Sequence, residues 1–125
     1  MIALDTQAEP DMNHLCQVIT PVGMLGYGFM EAQVAAELER MSTMSTPTAI
    51  ILDSGSTDSG PGKLALGGMS APRSSYERDV GKLIKLGQQF SVPVLISSAG
   101  GDGADEHVDV ILDIIREHAA KLENR

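Results

Sequence analysis

An apolar run passes directly into a polar, glycine-rich loop in the segment Thr48-Ala49-Ile50-Ile51-Leu52-Asp53-Ser54-Gly55-Ser56-Thr57-Asp58-Ser59-Gly60-Pro61. Such a short aliphatic run is typical of a strand that is buried on both faces of a parallel sheet. The same order recurs at residues 15–28 and 92–105, and a helical pattern follows each loop. The chain therefore predicts a β-α-β-α-β-α unit, with its loops at the carboxyl ends of three strands.

Apolar residues at spacings of three and four predict the helices. The first helix is expected over 30–41, the second from a capping box at Ser74-Ser75-Tyr76-Glu77 to Phe90, and the third from an N-cap at Asp102 or Asp105 to Leu122. Residues 59–70 are predicted to be an irregular lid or binding loop. The fold class is three-layer α/β with a small parallel sheet. Three strands are few, so either a sheet edge pairs with another subunit or this chain is one part of something larger.

Composition narrows the class of protein. The chain has 125 residues, 17 acidic and 9 basic, with a net charge of -8 and basic residues scattered along the sequence. That balance argues against nucleic acid as a partner, and no apolar run approaches the ~18 residues that a membrane span needs. We expect a cytoplasmic protein with a flexible arm over 1–13 and a single α/β domain over 14–125.

The loop after the second predicted strand is rich in oxygen ligands. Asp53 ends the strand, and Ser56, Thr57 and Asp58 follow closely. Carboxylates, hydroxyls and backbone N–H groups this close together can bind an anion or position a metal ion. We expect Asp53 and Asp58 to act in catalysis and Ser56 and Thr57 to bind ligand, although both aspartates can instead satisfy their own turns through Asx hydrogen bonds.

The third loop leads into a helix N-terminus, where free N–H groups favour an anion. The residues expected to bind ligand there are Ser98, Gly100, Gly101, Asp102 and Asp105. The two aspartates can also simply cap the helix. His107 follows closely and is the candidate general acid or base, since the imidazole titrates near neutrality, but a surface histidine without a role is the alternative.

The first loop contains Gly26, Tyr27 and Gly28, which we also expect to bind ligand. Its glycine spacing differs from the dinucleotide-binding fingerprint, and Gly62-Lys63 is followed by Leu64, which excludes a Walker A loop. The start of the second loop is similar to the first phosphate loop of actin-like kinases, so phosphate binding of that type is an alternative function.

Three motifs together carry a family resemblance: Pro21-Val22-Gly23-Met24-Leu25-Gly26-Tyr27-Gly28-Phe29, Asp53-Ser54-Gly55-Ser56-Thr57-Asp58-Ser59-Gly60-Pro61 and Ser98-Ala99-Gly100-Gly101-Asp102-Gly103-Ala104-Asp105. In this order they resemble the amino-terminal segment of the acyclic terpene utilisation family. The resemblance implies a lyase or hydrolase in catabolism that acts on a carboxylate or an acyl-coenzyme A thioester. Coenzyme A would then be part of the substrate, and a divalent metal ion is a candidate cofactor.

Members of that family are several hundred residues long, so the resemblance covers only part of them. It implies that this chain is a small subunit or domain, completed by a larger companion subunit or by a homo-oligomer through the sheet edge. A non-catalytic assembly or ligand-binding subunit is the alternative from a different functional class.

Overall fold

A computed structural model describes residues 15–123 of the chain. Its elements are β1 (Gln17–Ile19), α1 (Glu31–Ser42), β2 (Thr48–Asp53), α2 (Gly60–Leu66), α3 (Arg73–Phe90), β3 (Val94–Ser97) and α4 (Asp105–Glu123), with a 3-10 turn at Ala99–Gly101 between the last two. The arm predicted over 1–13 lies outside the described residues. None of the helices within 15–123 combines the length and apolar character needed to cross a membrane.

The three strands form one parallel sheet in the order β1-β2-β3. β2 lies in the centre, with Val18 opposite Ala49 on one side and Ile50 opposite Val94 on the other. The predicted α/β class and the small parallel sheet are therefore confirmed. The ends of the strands also agree with the sequence patterns to within a few residues.

The core lies between the sheet and the helices α1, α3 and α4. Ile50 and Leu52 of β2 are 0% and 2% exposed, because their side chains face this helical layer. The other buried apolar side chains of the same cluster come from the first loop, the three helices and the 3-10 turn, and are Leu25, Val34, Leu38, Tyr76, Val80, Leu83, Leu86, Ala99, Ile111 and Ile114.

The opposite face of the sheet is bare among the described residues. Val18, Ile51 and Leu95 on the three strands are 51%, 38% and 50% exposed. The prediction that the second strand is buried on both faces is wrong, and residues 15–123 form two layers where three were expected. The reason is topological: right-handed crossovers that step in one direction across the sheet place every helix on the same face.

The segment 59–70 is not wholly irregular, because α2 forms within it. Pro61 stands in the first turn, where its missing N–H group costs nothing, and Gly67 ends the helix with a positive φ of 77°. None of the residues of α2 is buried. This short helix therefore lies on the surface of the domain.

The capping box predicted at Ser74–Glu77 is wrong. α3 begins two residues earlier than this box predicts, at Arg73, and its N-cap residue Pro72 makes no side-chain capping bond. The carboxylate of Glu77 instead accepts a hydrogen bond from Arg73 Nε at 2.8 Å. Glu77 therefore forms an ion pair along the helix surface and does not cap the helix N-terminus.

Candidate functional site at the carboxyl edge of the sheet

The three loops that follow the strands meet at one edge, as the parallel topology requires. The amide of Leu25 in the first loop donates to the Asp53 carbonyl at 2.9 Å, and the amide of Ser54 donates to the Ser97 carbonyl at 2.9 Å. The segment after α2 joins them, because the Ser70 amide donates to the Gly100 carbonyl at 2.8 Å. The candidate site is therefore built from adjoining loops.

Asp53 lies at the open edge of the bare side of the sheet. Its side chain follows that of Ile51 on the same face, and both residues are exposed. Oδ1 accepts hydrogen bonds from the Gly55 amide at 3.0 Å and from Ser97 Oγ at 2.8 Å. These bonds, led by the Gly55 amide, lower the pKa of the Asp53 carboxyl, which keeps it ionised near neutral pH.

The rest of the second loop turns away into α2. Ser56 organises this turn, since its carbonyl accepts from the Gly60 amide at 2.7 Å and its Oγ from the Ser59 amide at 3.4 Å. Thr57 and Asp58 are exposed. Asp58 makes no hydrogen bond or ion pair within the described part of the chain, so the structure does not bring it into contact with Asp53.

His107 and Asp102 form a buried pair on the helix-covered side. The imidazole Nδ1 lies 2.7 Å from Asp102 Oδ1, and the two side chains are 8% and 2% exposed. The Ala104 amide also donates to Oδ1 at 2.9 Å. This amide, followed by His107, lowers the pKa of Asp102. His107 lies tightly against the 3-10 turn, because a Cβ on Gly100 would come 2.5 Å from the His107 Cβ.

Unpartnered polar atoms surround this pair. Ser70 Oγ and Asp102 Oδ2 are buried and have no hydrogen-bond partner among residues 15–123. Ser54 Oγ is buried as well and lies beside the Tyr76 hydroxyl. Tyr76 lies among them: its hydroxyl accepts from the Ala71 amide at 3.2 Å, burial raises its pKa, and the charge of Asp102 acts in the same direction. Buried polar groups in proteins nearly always form hydrogen bonds, so these atoms are positions where a polar ligand or an ordered water would be stabilised.

Sequence reasoning missed Ser54, Ser70 and Tyr76 as site residues. Ser54 follows Asp53 and points to the opposite side of the sheet, which the alternation of side chains along a strand could have indicated. The sequence pattern places Tyr76 in a predicted capping box and Ser70 in a predicted irregular loop. Their meeting depends on contacts between distant parts of the chain.

The first loop is held from within by Asp79 of α3. Its side chain is fully buried, and its Oδ2 accepts from the amides of Gly26 at 2.8 Å and Gly28 at 3.0 Å. Arg78 Nη2 donates to the Gly26 carbonyl at 2.9 Å. The two glycine amides are thus already engaged by the protein, whereas Tyr27 between them is 72% exposed. The feature of the sequence that could have indicated this role is the position of Asp79 on the apolar stripe of α3.

The remaining predicted residues of the third loop lie around the same edge. The Gly101 amide donates to the Ser98 carbonyl at 2.9 Å, and the Gly101 Cα packs so closely on Ser70 that a Cβ would come 2.0 Å from its Oγ. Ser98 is exposed and left-handed, with a φ of 51°. Asp105 is exposed at the start of α4. The 3-10 turn of the third loop is therefore buried, and Ser98 and Asp105 lie exposed on either side of it.

A metal ion finds no ready-made protein site here. Nowhere in residues 15–123 do three His, Cys, Asp or Glu side chains come together in a way that could hold one. Comparison of the chain with models of known protein families, with curated proteins and with solved structures finds no match. The family resemblance and the site residues inferred from the sequence stay predictions.

Proposed function

We propose that the chain is a component of an enzyme of the acyclic terpene utilisation type, which acts on a small carboxylate or an acyl-coenzyme A thioester in a lyase or hydrolase reaction. The observation that carries this proposal is the buried contact of 2.7 Å between His107 Nδ1 and Asp102 Oδ1 at the carboxyl edge of the sheet. The sequence motifs support the reaction class, and the buried pair supports a role in proton transfer.

His107 is the proposed general acid or base, and Asp102 is its positioning residue. Because the ionised carboxylate accepts a hydrogen bond from Nδ1, the neutral imidazole keeps its proton there and presents Nε2 as the base. In a lyase reaction Nε2 removes a proton beside a carbonyl group, and in a hydrolase reaction it takes one from the attacking water. A group placed in this way contributes ~10²–10⁴-fold to the rate.

The ligand reaches this pair when Gly67 at the end of α2 moves aside. Nε2 of His107 lies 3.4 Å from the Gly67 carbonyl oxygen, and in the proposed tautomer it has no proton to donate to that oxygen, so the contact is not a hydrogen bond that a ligand must break. Gly67 lies at the exposed end of α2, a helix with no buried residue, so its displacement exposes little apolar surface. Ser70 stays in place, because its amide is bonded to the Gly100 carbonyl and its neighbours Met69 and Ala71 pack on the core. A bound ligand with hydroxyl or amide donors then satisfies Asp102 Oδ2 and Ser70 Oγ, which have no hydrogen-bond partner within the described range 15–123.

Asp53 supplies a second polar contact from the bare side of the edge. Its ionised carboxylate, oriented by the Ser97 hydroxyl at 2.8 Å, is suited to accept a hydrogen bond from the ligand or from a companion polypeptide. Asp58 stays a prediction, since it lies exposed in the loop. No step of the proposed reaction runs through a metal ion.

The test uses the protein in its native assembly, with short-chain acyl-coenzyme A thioesters assayed by thiol release and small hydroxy carboxylates assayed by loss of water. We expect Asp102→Asn and His107→Gln each to lower kcat/KM by at least about tenfold. Asp109→Asn, at an exposed position of the same helix, is the matched control and is expected to retain full activity. Equal activities of the Asp102→Asn and Asp109→Asn proteins would overturn the proposal.

The bare sheet face favours a second role, that of an assembly subunit. Parallel sheets are normally covered on both faces, whereas Val18, Ile51 and Leu95 are 38–51% exposed here. These three side chains fall well short of the roughly 800 Å² per partner that a stable interface buries. We therefore propose a larger companion polypeptide that covers this face and also pairs with a free strand edge, in preference to a second copy that would meet only the same small patch.

A further inference from the structure

A groove crosses the helical layer on the side away from the bare sheet face. It has a volume of about 510 Å³ and lies between the start of α1, the middle of α3 and the end of α4. This volume is within the range of about 300–1,000 Å³ that is usual for small-molecule sites. The groove is separate from the His107–Asp102 pair, which does not line it.

Positive charge is concentrated in this groove. The chain has a net charge of -8 and only 9 Lys and Arg residues, yet Arg78, Lys82, Lys85 and Lys121 all line it. Three of them share one face of α3, because they are spaced by four and three residues, and α4 brings in the fourth. Basic residues that are scattered in the sequence are thus gathered by the fold.

Two of these charges are not neutralised by an acidic side chain in the described residues. Lys82 Nζ donates to the Phe29 carbonyl at 2.8 Å and lies 5.2 Å from the centre of the Phe29 ring, so it is held in place by neutral groups. Lys121 makes no ion pair within residues 15–123. Arg78 and Lys85, by contrast, are paired with Asp79 and Glu31.

The acidic residues that line the groove are already paired. Glu31 binds Lys85, and Glu77 accepts from Arg73 Nε at 2.8 Å. Their charges therefore oppose an incoming anion less than free carboxylates would, and Lys82 and Lys121 are left to attract it.

Part of the lining of the groove is apolar, and we call this part its floor. Ile84 and Leu122 line it, and the imidazole of His118 lies so close to α3 that a Cβ on Gly81 would come 2.7 Å from its Cε1. The glycine at position 81 therefore makes room for that ring within the helix. The floor suits a flat or aliphatic body, which an inorganic anion lacks.

We propose that this groove binds a phosphate ester of the nucleotide class, with its phosphates between Lys82 and Lys121 and its base or sugar against Ile84, Leu122 and His118. Lysine ammonium groups bind phosphate as point charges, and the apolar floor adds contact area for the organic part of the ligand. The proposal does not depend on the reaction assigned to the carboxyl edge.

The test is isothermal titration of the full chain with ADP, without metal and at low ionic strength, beside titrations with pyrophosphate and adenosine. We expect ADP to bind more tightly than either. Lys121→Ala should weaken ADP by about fivefold, whereas Arg116→Ala should change its affinity by less than about twofold. Arg116 makes a matched control because it lies exposed on the same helix, paired with Asp113, and carries the same charge.

Three results would overturn the proposal: no heat from ADP with the wild type, pyrophosphate binding as tightly as ADP, or equal weakening by Lys121→Ala and Arg116→Ala. The last result would mean that removing any positive charge from this acidic chain weakens anion binding, with no specific role for the groove. Lys121 is exposed, so its replacement leaves the fold intact, and a melting curve of each variant verifies this. Lys82→Met, which keeps an unbranched apolar side chain, provides a second variant with the same expected direction.

Discussion

The two faces of the sheet differ in what covers them and in what they carry. Along β2, Ile50 is fully buried under the helices while its neighbour Ile51 is 38% exposed on the bare side. The covered side leads to the buried His107–Asp102 pair, and the bare side leads to Asp53 at the open edge. Equally apolar residues of one strand therefore differ in their surroundings: one set packs in the core of the domain, and the other is exposed on the bare face.

The largest expected difference concerns stability. Ile50→Ala removes core methyl groups and leaves a cavity, so we expect a loss of about 2–5 kcal/mol in the free energy of unfolding. Ile51→Ala changes a position that already contacts solvent and should cost less than about 1 kcal/mol. Urea denaturation of the isolated chain measures both values. Similar losses for the two variants would break the distinction between the faces.

A second comparison uses one aspartate from each side. Asp79 is fully buried and accepts from two loop amides, so Asp79→Asn should cost about 1–3 kcal/mol by weakening both bonds. Asp53 is exposed, and Asp53→Asn should stay within about 0.5 kcal/mol of the wild type. The same denaturation experiment compares the two variants. A larger loss of unfolding free energy in Asp53→Asn than in Asp79→Asn would contradict the assignment of the structural role to the covered side.

The covered side should also determine part of the acid sensitivity. The folded protein lowers the pKa of Asp102, so this carboxylate stabilises the fold above its ordinary pKa of about 3.9, and that contribution is lost as the pH falls further. Asn at position 102 cannot ionise. The stability difference between wild type and Asp102→Asn should therefore shrink between pH 5 and pH 3, as measured by urea midpoints. A difference that is constant across this range would contradict the assignment.

The smallest expected change in stability is at the bare face, where the effect on association should be large. Leu95 is 50% exposed, so Leu95→Lys should leave the melting temperature of the isolated chain nearly unchanged. In the assembly the same lysine would be buried against an apolar partner and should prevent binding. A matched substitution at exposed Leu64 of α2 tests whether any surface leucine has the same effect.

Much of the fold could be predicted from the sequence, because the strands and helices are local patterns. The apolar runs around Ile50 and Val94 and the stripe at residues 108–122 each identify an element without reference to the others. The bare face could not be predicted in this way. Ile50 and Ile51 are the same residue type, and only the direction in which the sheet grows decides which one the helices cover.

The candidate site was predicted in part. The sequence places His107 and Asp102 near one helix start, but their contact depends on the backbone path through Gly100 and Gly103, which have positive φ angles of 74° and 71°. Ser70 reaches the site from a segment more than thirty residues earlier in the chain. Such meetings follow from tertiary packing, which residue spacing does not encode.

The central claim is that the bare face is an interface with a companion polypeptide. Light scattering on the protein purified under mild conditions from its native host, wild type beside Leu95→Lys, tests it most directly. We expect a wild-type mass well above the 13.2 kDa of one chain, with a second polypeptide present, and a single-chain mass for the variant. A wild-type protein that runs at 13.2 kDa, or a complex that Leu95→Lys leaves intact, would contradict it.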